Sequence, residues 1–122
     1  MMKRHNYQAS LFDILNCSRN CIKFIQGMTF KDFEQDLKTI SAVLHQIMII
    51  GEATKRLGHD FTDNYPELPW KNMAGMRDIL IHNYDESDLK ISWGVVTNEL
   101  PKIAEQIEII LQNLEDSKDS KL

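Results

Sequence analysis

Long apolar runs are missing from this chain of 122 residues. None approaches the roughly 18 residues that a membrane-spanning helix needs. The opening MMKRHNYQAS also lacks the apolar stretch of a signal peptide, so a cytoplasmic protein is the expectation. Cysteine is scarce. Cys17 and Cys21 stand one helical turn apart, with no second pair and no His cluster beside them. That argues against a disulfide framework or a metal knuckle and predicts reduced, half-buried thiols. His5, His45 and His59 are scattered, and neither a metal nor a cofactor is expected. A basic excess is missing too. The formal net charge is −4, so the surface as a whole is not made for nucleic acid, and any RNA contact must come from a local basic site. Sustained strand alternation and internal repeats are absent, and the length suits one domain.

Helical periodicity is present almost everywhere. Leu11, Ile14, Leu15, Ser18, Ile22 and Ile25 form one stripe, with Gly27 placed to end that helix. Thr29 can cap a short helix through Phe30 and Phe33. A long helix is predicted from about Leu37 to Leu57, with Leu37, Ile40, Leu44, Ile47, Gly51 and Thr54 as its seam and Gly58 as its stop. HDFTDNYPELPW, with Pro66 and Pro69, is a connector, and Trp70 opens the next helix. Ser87 or Asp85 can cap the last one, whose stripe runs Leu89, Trp93, Val96, Leu100, Ile103, Ile107, Ile110, Leu114. Pro101 predicts a kink just before it. The expectation is an all-α bundle of four main helices plus a short one. It comprises one domain over residues 1–114 and a polar tail, 115–122, that frays.

The stretch RDILIHNY, from Arg77 to Tyr84, concentrates chemistry in the fourth helix. On a straight helix turning about 100° per residue, Arg77 and Tyr84 share a face and His82 points roughly 140° away from Arg77. Convergence then needs a distorted helix end, or two copies of the motif facing across a two-fold axis. Asp78, four residues before His82, is spaced to orient the imidazole. An Arg, a His and a Tyr with no Ser or Cys nucleophile suit metal-free RNA cleavage. There the nucleophile is the RNA's own 2′-hydroxyl, a His near neutral pKa takes its proton, and a guanidinium clamps the phosphate.

R-x-x-x-x-H-x-Y resembles the signature of the HEPN superfamily. In order along the chain, IIGEATKRL, YPELPWKNMAGMRDILIHNYDESDLKISW and VVTNELPKI are similar to its HepT-like branch, from about Tyr7 to Leu114. The resemblance implies a helical bundle that dimerises about a two-fold axis, with a composite ribonuclease site built from both motifs. It also implies the toxin of a type VII toxin–antitoxin system, with an MNT-type nucleotidyltransferase as antitoxin that transfers AMP to the motif tyrosine. Matched position by position, Arg77 and His82 are the catalytic pair, Tyr84 the AMP acceptor and Asn83 the polar residue between them. Glu52, of GEA, is a shared position whose role the resemblance leaves open. AMP on Tyr84 would add bulk and negative charge beside Arg77 and His82.

Plainer readings stand beside each of these. Taken singly, Arg77 also reads as a surface cation, His82 as a helix C-terminal imidazole, and Tyr84 as a ring packed on the core with its hydroxyl at the rim; the full pattern outweighs these. Glu52 can pair with Lys55 or Arg56. Those two cations suit phosphate contacts or a solvated helix end. The rival function is a non-catalytic nucleotide- or partner-binding subunit of a nucleotidyltransferase.

Overall fold

The computed structural model describes residues 6–76, 78 and 85–120, and the side chains of all of these except 87 and 118–120. The polypeptide is all-α. Helix α1 (Tyr7–Phe24) begins where the Asn6 side chain accepts a hydrogen bond from the Ala9 N–H, and gives way to a turn at Gly27, φ 82°. Thr29 starts α2 (Phe30–Glu34) through a reciprocal box: its hydroxyl accepts from the Asp32 N–H at 3.1 Å, and the Asp32 carboxylate accepts from the Thr29 N–H at 3.0 Å. Helix α3 (Leu37–Leu57) is capped by Asp36 and stops at Gly58, φ 76°. The connector holds one short turn of helix, α4 (His59–Thr62), before α5 (Trp70–Ala74). Asp85 caps α6 (Glu86–Gly94), its carboxylate accepting from the Asp88 N–H at 2.9 Å. A π-helical turn over Val95–Glu99 joins α6 to α7 (Leu100–Ser120).

Helix α3 is the centre of the bundle. Ile40, Val43, Leu44, Ile47, Ile50, Ala53 and Leu57 are all buried on it. They occupy more than the narrow seam that the heptad spacing predicts, because α3 packs against α1, α2, α4 and α5. Leu37 departs from the predicted seam: it is 63% exposed, since it opens the helix beyond the end of the core. Helices α1 and α3 are antiparallel, with Arg56 on Asp13 at 2.7 Å, Asn20 on Gln46 at 3.1 Å and the Cys21 thiol on the Val43 carbonyl at 3.7 Å. Helix α7 closes α1 from another side, and Arg19 reaches Glu108 at 2.9 Å. Fully burying a side chain such as Phe33 or Ile47 contributes about 1.5–3 kcal/mol each.

Two irregularities matter. The disturbance expected before Pro101 takes the form of the π turn, in which the Leu100 N–H donates to the Val95 carbonyl, five residues back. Pro101 has no N–H to give to Thr97, and a widened turn accommodates that gap. The Thr97 hydroxyl meanwhile donates to the Trp93 carbonyl at 2.8 Å. At the other end, Glu115, Asp116 and Ser117, expected to fray, continue α7, with Gln112 donating to Asp116 one turn on. Among the described residues, no helix is long and apolar enough to cross a membrane.

Candidate active site

Arg77, His82, Asn83 and Tyr84 lie outside the described residues. The structure defines the two ends from which they depart. On the upstream side, Trp70 opens α5 with its indole N–H donating to the Tyr65 carbonyl at 2.8 Å, and its ring meets Phe61 edge-on. Met73 and Met76 are both buried, so the chain approaches Arg77 from an anchored position. On the downstream side, the Asp85 cap and buried Leu89 fix the start of α6 directly after Tyr84.

The helix predicted to open at Trp70 departs from regular α geometry before the motif begins. Its α-helical part ends at Ala74, and Gly75, Met76 and Asp78 belong to a 3₁₀ turn. Glycine at the junction explains the change, because it weakens α propensity by about 1 kcal/mol relative to alanine. A 3₁₀ turn has three residues per turn rather than 3.6, so angles counted on a straight α-helix do not apply at Asp78. The Asp78 side chain is exposed.

Glu52 is exposed on α3, between buried Gly51 and Ala53. It pairs with neither Lys55 nor Arg56. Arg56 is engaged across the bundle by Asp13 and by the Ser10 hydroxyl at 3.3 Å. The simple helix-surface pairing expected for Glu52 is therefore not its arrangement.

The cysteines are more deeply placed than expected. Both are buried, and burial pushes the Cys21 thiol up to about 12, with the neighbouring Cys17 adding to the shift. Burial also raises Cys17, aided by Asp13. Thiols held protonated in this way are poor nucleophiles. Among the described residues, no three His, Cys, Asp or Glu side chains are grouped to hold a metal ion.

Comparison with known proteins places these observations in a family. The model of the family described as ribonuclease HepT-like matches residues 14–110. A Methanocaldococcus jannaschii protein named as a candidate RNase is 39% identical over 121 residues, covering 99% of this chain and all of its own length. A second protein of that organism, also named as a candidate RNase, is 35% identical over 109 residues, 89% of this chain and all of its own. A Thermococcus cleftensis protein named probable ribonuclease HepT is 38% identical over 107 residues, 88% of this chain and 96% of its own. No solved structure gave a significant match. With a family model spanning most of the bundle and relatives aligned end to end, this chain belongs to the HepT-like ribonuclease family of the HEPN superfamily.

Proposed function

We propose that this chain is a metal-independent endoribonuclease that works as a homodimer, with Arg77 and His82 of both copies at one cleft. The observation that carries the reading is an intact R-x-x-x-x-H-x-Y motif in a chain of the HepT-like ribonuclease family. In the reaction, the 2′-hydroxyl attacks the adjacent phosphorus while His82 takes its proton. The 5′-oxygen leaves, giving a 2′,3′-cyclic phosphate and a 5′-hydroxyl end. That leaving oxygen needs a proton from an imidazolium, and two motifs at one cleft supply one imidazole for each step. Arg77 holds the phosphate and offsets the charge that develops on it. Asp78, Asn83 and exposed Glu52 are assigned supporting roles.

The same family membership supports a reading of the biological setting. The chain acts as the toxin of a type VII toxin–antitoxin pair, and an MNT-type nucleotidyltransferase silences it by transferring AMP to Tyr84. A phosphate on Tyr84 brings negative charge to the arginine that would otherwise clamp RNA. The test is RNA cleavage in excess chelator by protein shown by mass spectrometry to carry no AMP, beside His82→Ala and Arg77→Ala purified identically. Cleavage by the parent and loss of at least about 100-fold in each variant is the expected result. Equal cleavage by parent and variants would sink the assignment. Silence from all three on several RNA classes would instead identify a non-catalytic partner of the nucleotidyltransferase.

A further inference from the structure

The C-terminal end of α3, the short α4 and the start of α5 enclose an open cleft of about 830 Å³. That lies within the range of about 300–1,000 Å³ typical of ligand sites. Its walls are mainly apolar, with Trp70 among them, and Ala74 lies at its α5 side. Lys55 comes from α3 and Lys71 from α5; both are exposed, and neither makes an ion pair among the described residues. The His59 imidazole joins them, opposed by one carboxylate, Asp63. The cleft thus gathers two cations that form no ion pair among the described residues, in a chain whose net charge is −4. By contrast Arg56, next to Lys55, is already held by Asp13.

Position adds meaning to composition. Ala74 precedes Arg77 by three residues, a span of at most about 11 Å. An aromatic wall with flanking cations is the arrangement that binds single-stranded nucleic acid, through base stacking and phosphate contact. We infer that this cleft is a binding subsite for single-stranded RNA flanking the cleaved bond, with Trp70 packing a base and Lys55 and Lys71 contacting phosphates. The inference rests on the proposed ribonuclease reading and adds to it the form of the substrate and the path it takes. It also explains how an acidic protein can hold RNA.

Binding is measured separately from cleavage by working in a His82→Ala background. A fluorescently labelled oligouridylate is titrated against that protein and against the same protein carrying Lys55→Gln and Lys71→Gln. Loss of two phosphate contacts should weaken binding at least about tenfold and reduce the slope of log affinity against log salt by about 1.4. Lys55→Arg with Lys71→Arg should restore both. With Trp93→Phe added, so that Trp70 alone emits, the oligonucleotide should quench fluorescence. Unchanged affinity and salt slope in the glutamine variant, with its helical circular dichroism intact, overturn the subsite. If parent protein cleaves RNA in that case, the ribonuclease reading survives alone. Lysine-dependent binding without cleavage by the parent refutes the reaction, and with it the cleaved bond that the subsite flanks, and leaves only an RNA-binding cleft. Unchanged RNA binding together with lost capture of the nucleotidyltransferase makes the cleft a protein-docking surface and also overturns the inference.

Discussion

Gly58 joins α3 to α4 with φ 76° and ψ 163°. This is not the left-handed helical region, where ψ is near +47° and asparagine is tolerated. It belongs to the region used essentially by glycine alone, where another residue costs about 1–3 kcal/mol. A Cβ added there meets nothing within 4 Å, so neither clash nor new packing alters that cost. Gly58→Ala should therefore lower stability by about 1–3 kcal/mol, and Gly58→Asn by a similar amount. The absence of rescue by asparagine separates this geometry from an ordinary helix stop. The assay is urea unfolding at one fixed protein concentration, where an unchanged m-value shows that stability, and not the compactness of either state, has changed. A variant within about 0.5 kcal/mol of the parent, the range of ordinary surface substitutions, would refute the reasoning.

Other consequences can be checked in the same way. Ile47→Ala should cost about 2–5 kcal/mol, whereas Leu37→Ala should stay within about 0.5 kcal/mol, because Leu37 is 63% exposed and Ile47 is fully buried; equal losses in urea unfolding would contradict the packing. The Cys21 thiol rises from 9.0 to about 12 on folding, so its contribution is full below the lower value and lost as pH climbs toward the higher. The stability difference between the parent and Cys21→Ala should shrink by roughly 1 kcal/mol between pH 8 and pH 10, and a pH-independent difference would count against a buried neutral thiol. Asp85→Ala removes the α6 cap and should cost about 1 kcal/mol, largely restored by Asp85→Ser or Asp85→Asn. RNA cleavage should fall as well, since Tyr84 is its direct neighbour; full stability in the alanine variant would rule out the cap.

Local signals were read well from the sequence where a single residue decides the backbone. Thr29, Gly58 and Asp85 (one of two candidates beside Ser87) each fix a helix end through their own side-chain chemistry or lack of a Cβ, and the bounds of α3 follow; the return bond from Asp32 to Thr29 was not foreseen. Tertiary effects were less visible. Leu37 fits the heptad spacing, yet the bundle ends before reaching it. Val43 and Ile50 fall outside that seam, yet several helices surround α3 and bury them. Pro101 announced an irregularity without saying that the turn before it would widen to a π geometry. The motif residues were legible as a pattern of types and spacings. The cleft was not, because Lys55 and Lys71 are sixteen residues apart and meet only through the packing of α5 on α3.

The depth of Cys17 and Cys21 has a consequence for watching this molecule move. Both thiols lie where α1 meets its neighbours, and Cys21 donates to the α3 backbone. A thiol reagent can reach Cys21, which is fully buried, only when that seam opens. In native buffer, the rate of labelling at Cys21, read by mass spectrometry, therefore reports the openings of α1 away from α3, with no substitution and no probe attached beforehand. Comparing that rate with and without bound RNA would show whether the substrate tightens the bundle along a seam far in sequence from RDILIHNY.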